Sequence, residues 1–169
     1  FDHPSELKAV EAGVRAALRH SDQAQAEELI HSLLRSDNSN AISLGLQWHR
    51  QRDQKGALRL DDDLEQVQIR RALFPQLDAS AETLARVISE CSDDLVPELA
   101  CVLAKRSTPD RPALMRHLLA TRPIAAPILH KCLLLEVLEL QYQPGSARSQ
   151  LCRALEAALE PSLDTYPDE

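Results

Sequence analysis

The chain has 169 residues and a formal net charge of -7, and aromatic residues make up 3% of it. An acidic balance with so few rings argues against a nucleic-acid platform built on base stacking. No apolar run reaches the roughly 20 residues that a membrane-spanning helix needs, and the length suits one domain burying roughly 70% of its unfolded surface.

Leu and Ala dominate the apolar set, and with Arg, Glu and Gln they lose little rotamer freedom in a helix. β-branched residues never alternate along a run, so strands have no signal and the fold class is all-α. The first helix spans about Pro4 to Arg19, striped with Leu7, Val10, Val14, Ala17 and Leu18, and Pro4 sits in its first turn, where a missing N–H is harmless. Ser21 is expected to cap a second helix carrying Leu29, Ile30, Leu33 and Leu34. The turn "SDNSN" at 36–40 leads into a third with Ile42, Leu46 and Trp48, which Gly56 stops. "LDDD" at 60–63 starts a fourth with Leu64, Val67 and Leu73, and Phe74-Pro75 is expected to end it.

Asp78 is expected to open the fifth helix, on which Ala81, Leu84, Ile88 and Cys91 recur at steps of three and four. "SDD" at 92–94 opens the sixth, with Leu95, Leu99 and Leu103, and Asp110 opens the seventh, with Leu114, Met115 and Leu118. The eighth, entered through Pro123 and Pro127, reads "PILHKCLLLEVLEL" and is apolar on most of its circumference. Leu129, Leu133, Leu134, Val137, Leu138 and Leu140 cover one half, and Ile128, Cys132 and Leu135 intrude on the other, so burial from both sides is expected. Ser146 begins a ninth with Leu151, Leu155, Ala158 and Leu159, closed by Pro161.

The expected architecture is therefore a single domain over 1–161, with about nine short helices stacked as antiparallel pairs, either solenoid-like or as an irregular bundle. Residues 162–169 read as an extended acidic tail. The chain opens on Phe1 rather than Met, which suggests a fragment of a longer protein. Every second helix start is separated by about 32 to 40 residues, the scale of two-helix repeats.

The stretch from Glu27 to Trp48, a leucine helix, a polar turn and a second leucine helix, resembles units of HEAT-, armadillo- or TPR-type arrays. The TPR pattern itself is absent, since Leu44-Gly45 precedes Trp48, and so is the ankyrin "TPLH". The resemblance implies a scaffold or adaptor that binds another protein, or flanking domains of its own chain, without catalysis or cofactor.

Candidate chemistry is sparse. Glu28 and His31 have the spacing of a helical metal motif, but the second Glu-x-x-His that a di-iron bundle needs is missing. His130 and Cys132 point in different directions on a helix and cannot form a dyad. Asp61 to Asp63 lack the Gly and Glu of a calcium loop and read as a capping cluster. No phosphate-binding loop, nucleophile elbow or HExxH appears, so no catalytic residue, cofactor site or metal site is assigned.

The segment 105–122 gathers Lys105, Arg106, Arg116 and Arg122, the basis of an alternative reading as a HEAT-like nucleic-acid binder. The competing account is the helix dipole, because Arg19, Arg35, Arg70, Arg71, Lys105 and Arg106 stand near helix C-termini and acids near N-termini. Trp48, beside His49 and Arg50, is either packed in the core or an interface anchor. Together with the four basic residues it makes up the candidate partner surface. Cys91, Cys101, Cys132 and Cys152 lack CxxC spacing and read as buried free thiols in a reducing, intracellular compartment.

Overall fold

A computed structural model describes residues 3–52 and 58–140. The described residues form eight α-helices and two single 3₁₀ turns, with no strand among them. The expected stop at Gly56, the ninth helix, Cys152 and the acidic tail lie outside the described residues.

Helix α1 (Pro4–Arg19) buries Val14 and Ala17. It ends with Ser21 N–H bonded to Leu18 O at 3.2 Å and Asp22 N–H to Ala17 O at 2.8 Å, the paired bonds of a Schellman motif. That motif needs a left-handed residue after the helix, and Ser21 supplies it at φ 56°. Ser21 therefore closes α1 instead of opening α2 (Gln23–Leu34), and Asp22 is the cap, accepting from Gln25 N–H at 3.1 Å.

Helix α3 (Ser39–Arg52) starts under Asn38, whose Oδ1 accepts from the N–H groups of Asn40 and Ala41 at 3.0 and 3.1 Å. Gly45 lets it lie close on α2, since a Cβ there would stand 2.9 Å from Leu34 Cδ2 and 3.1 Å from Leu33 Cβ. Helix α4 (Leu64–Arg71) is capped by Asp63, as the acidic run implies. It stops at Arg71, earlier than Phe74-Pro75. Lys105 Nζ donates to the carbonyls of Arg71 and Phe74, and the Phe74 ring stacks on His49 with centroids 4.0 Å apart. Tertiary partners for those groups outweigh one more helical turn.

Helix α5 (Ala81–Glu90) is capped by Ser80, not Asp78. A 3₁₀ turn at Asp93–Leu95 leads into α6 (Val96–Lys105), and α7 spans Arg111–Thr121. Asp110 holds the cap position of α7 but makes no cap bond there, because its carboxylate accepts from Arg106 at 2.7 and 2.8 Å. A second 3₁₀ turn at Pro123–Ala125 precedes α8 (Ala126–Leu140).

The enclosed rod is α6 rather than α8. Every residue from Val96 to Ala104 is buried, and α6 touches α3, α4, α7 and α8. Its small residues Ala100, Cys101 and Ala104 let neighbours approach closely. Helix α8 buries one stripe, with Ile128, Leu129, Cys132, Leu133 and Leu135, while Leu134 and Leu138 remain 49% and 40% exposed. Consecutive helices α1, α2 and α3 pack in order, α3 meets α5 and α5 meets α7, whereas α4 packs against both α6 and α8. No single helix among the described residues is long and apolar enough to cross a membrane.

Candidate functional site

Three of the four basic candidates point into the fold. Lys105 bridges two carbonyls of the α4–α5 connection, and burial lowers its pKa. Arg106, 4% exposed, donates to Leu77 O at 3.0 Å and grips Asp110 through two bonds. That grip holds the Asp110 carboxyl at about 2, well below the usual carboxylate range. Arg122 donates to Asp93 and to the carbonyls of Ser89 and Cys91, tying the start of the Pro123 turn to the end of α5. Arg116 is the exposed member of the four. Arg111, not singled out in the sequence, donates to Ala104 O at 2.9 Å and to both oxygens of Glu136, at 2.9 and 3.1 Å.

Trp48 is 8% exposed and belongs to the core, with the Arg15 guanidinium 5.7 Å from its ring centroid. His31 pairs at 3.8 Å with Glu27, one turn away, rather than with Glu28. No group of His, Cys, Asp and Glu able to hold a metal ion occurs among the described residues. His130 is half-buried, which lowers its pKa, and Cys132 faces the Cys101 thiol of α6. Hydrogen bonding with Cys132, together with burial, keeps Cys101 protonated. Cys91, Cys101 and Cys132 are free and buried, as their placement on apolar faces implies.

An open cleft of about 760 Å³ lies between α1, α3 and the α5–α6 connection. Its floor is one face of α3, where Asn40, Ser43, Leu44, Gln47 and Gln51 recur at helical steps. Leu7 of α1 and Leu95 supply apolar edges. Arg50 closes one end by donating to Asp94 O, which joins α3 to the 3₁₀ turn. Amides and hydroxyls share the lining with leucines and with the charged Arg50, Glu90 and Asp94, so the cleft can exchange hydrogen bonds and bury apolar side chains. Cys91 lines it too, but burial raises its pKa, which leaves a thiol rather than a nucleophilic thiolate.

Close to that end lies Glu98, in the first turn of α6 and 1% exposed. Neither carboxyl oxygen makes a well-formed hydrogen bond. Burial lifts its pKa to about 7 against the opposing pull of nearby N–H groups and of Arg50. Sequence reading missed both features. The polar face of α3 looks like any solvated helix face, whereas Glu98 had a legible signal, a lone acid inside the apolar run "LVPELACVLA".

Among the described residues the fold is all-α, with an open surface cleft between α1, α3 and the α5–α6 connection. In comparisons with known proteins, no family model, no curated protein and no solved structure matches the chain.

Proposed function

We propose that the chain is a protein-interaction module that receives an extended segment of a partner, or of its own flanking sequence, in the α1–α3–α6 cleft. The observation that carries this reading is the ladder of Asn40, Ser43, Gln47 and Gln51 along the cleft floor, edged by Leu7 and Leu95. Side-chain amides and hydroxyls offer both donors and acceptors to a peptide backbone, and apolar edges receive its side chains. Binding needs no cofactor and no catalysis by this domain.

The stacked, HEAT-like arrangement is part of the same proposal, and the row α3–α5–α7 supports it. The contact of α4 with α8 favours the irregular form, because it brings together helices far apart in the chain. The nucleic-acid alternative draws less support, since Lys105, Arg106 and Arg122 donate to groups within the fold. The three buried free thiols support a reducing compartment.

A photo-crosslinking residue at Gln47 tests the reading, with the same residue at Gln66 as a distant control. The Gln47 site should capture one defined protein segment in cells, and Ser43→Arg, which fills the cleft, should abolish capture. Equal capture from both positions, or capture insensitive to Ser43→Arg, would remove the cleft as the binding surface.

A further inference from the structure

The end of the cleft offers one guanidinium two acceptors. Arg50, half-buried in the last turn of α3, donates through Nη1 to Asp94 O. A carbonyl in a helical run points toward the residue four positions on. Here that residue is Glu98, since the 3₁₀ turn at Asp93–Leu95 continues directly into α6. The guanidinium therefore stands one turn from a carboxyl that is 1% exposed and whose oxygens lack a well-formed hydrogen bond.

A charge on Glu98 would find little support where it now lies. Its own N–H and that of Leu58 approach it, Arg50 attracts it, and Asp94 repels it. Charged and titratable groups on the other elements around α6 are engaged elsewhere. His49 of α3 stacks on Phe74, Arg71 of α4 pairs with Glu139, Arg111 of α7 pairs with Glu136, and Lys131 of α8 donates to Asp62 O. Ionisation of a buried carboxyl is costly unless a cation moves up to it. Arg50 need only pivot by one turn to do so. A neutral Glu98 makes no such demand, and Asp94 O keeps the guanidinium.

We propose that Arg50 and Glu98 form a proton-operated latch on the cleft. With Glu98 neutral, Arg50 holds Asp94 O and closes the end; with Glu98 ionised, Arg50 turns to the carboxylate and opens it. Opening frees Asp94 O to accept a hydrogen bond from the backbone of a bound segment. This regulation rests on the cleft being the binding surface, and its direction is tighter binding at higher pH. With Arg50 on Asp94 O, burial places the Glu98 titration at about 7, so pH 5 and pH 8 fall on opposite sides of the change.

Crystal structures of the full chain at pH 5 and pH 8 test the latch directly. Arg50 should sit on Asp94 O at pH 5 and on the Glu98 carboxylate at pH 8, and Glu98→Gln should keep it on Asp94 O at pH 8. Arg50 anywhere but on Glu98 in the unsubstituted chain at pH 8 would overturn the latch. The photo-crosslinking residue at Gln47, used in cell extract, reads the regulation. Capture should be several-fold stronger at pH 8 than at pH 5, and Glu98→Gln should abolish the difference. A pH response that survives Glu98→Gln would overturn the regulation. No capture at either pH would instead remove the cleft as the binding surface, and the two positions of Arg50 would still decide the latch.

Discussion

The carboxylate of Asp37 accepts from both the backbone N–H and the hydroxyl of Ser80, at 3.0 and 3.2 Å, although 43 residues separate them. Ser80 in turn accepts from Thr83 N–H at 3.2 Å and so caps α5. The turn between α2 and α3 thus holds the start of a helix that belongs to another part of the chain. Ser80→Ala should lower stability by about 1 kcal/mol, the usual worth of an N-cap. Hydrogen bonds from the Thr83 hydroxyl and the Ser80 N–H hold the Asp37 pKa below its ordinary value. A depressed carboxyl stabilises the fold above the ordinary carboxylate range and loses that effect as pH falls through the folded value. Thermal melts of Asp37→Asn should therefore lose part of the acid sensitivity shown by the unsubstituted chain; an identical pH profile would refute the link.

Two helical glycines should respond to alanine with opposite sign. At Gly45 a Cβ would meet Leu33 Cβ and Leu34 Cγ at 3.1 and 3.0 Å, atoms that cannot swing away. Overpacking of that kind costs about 1–3 kcal/mol and outweighs the propensity gain of about 1 kcal/mol. At Gly13 the single close atom is Leu29 Cδ1 at 3.1 Å, the end of a half-buried side chain that can turn. Urea unfolding should show Gly45→Ala destabilised and Gly13→Ala unchanged or more stable, and the same sign at both sites would contradict the packing described.

Glu98 makes stability fall with rising pH. Its folded pKa of about 7 lies above the ordinary 4.5, so the unfolded chain ionises first. Below 4.5 the group is protonated in both states and costs nothing extra. Between 4.5 and 7 the penalty grows, and above 7 it reaches about 3 kcal/mol. Glu98→Gln cannot ionise, so its stability measured at pH 5 and pH 8 should differ far less than that of the unsubstituted chain. Parallel curves would place the pH dependence elsewhere.

Arg111 and Glu136 form a buried pair linking α7 to α8, with side chains 7% and 16% exposed. Arg111→Met leaves the Glu136 charge without its partner and frees Ala104 O, which should cost about 3–5 kcal/mol. Replacing both, as Arg111→Met with Glu136→Leu, should recover most of the loss, because two apolar chains of similar size avoid the desolvation of two charges. Denaturant midpoints of the two variants decide the point; a double variant as unstable as the single would mean that the pair itself holds the helices.

Ser21 occupies the left-handed region at φ 56°, where a side chain costs about 1–2 kcal/mol that glycine avoids. Ser21→Gly also gains freedom when unfolded, at a cost of about 0.4–1 kcal/mol, so a net gain of about 0.5–1 kcal/mol remains. A lower midpoint in Ser21→Gly would show that the serine side chain contributes a contact of its own.

Local chemistry determined the helices. Apolar residues at steps of three and four, the polar turn at 36–40 and the acidic run at 60–63 before them, and prolines in first turns identify α1 to α4 and α6 to α8 within a few residues, because caps and amphipathic stripes act over one or two turns. Where that reading misplaced a cap, a competing contact had intervened, and Ser21 closes α1 and leaves Asp22 to cap α2. Asp78 yielded to Ser80 because Asp37 supports the serine, and Asp110 left its cap because Arg106 holds it. The apolar count of α8 suggested a rod enclosed on all sides, yet α6 is the enclosed one, and its small residues rather than its leucines explain why. Burial depends on which faces meet. Only the tertiary structure sets that meeting, and with it the α3 cleft, the inward turn of Lys105, Arg106 and Arg122, and the isolation of Glu98.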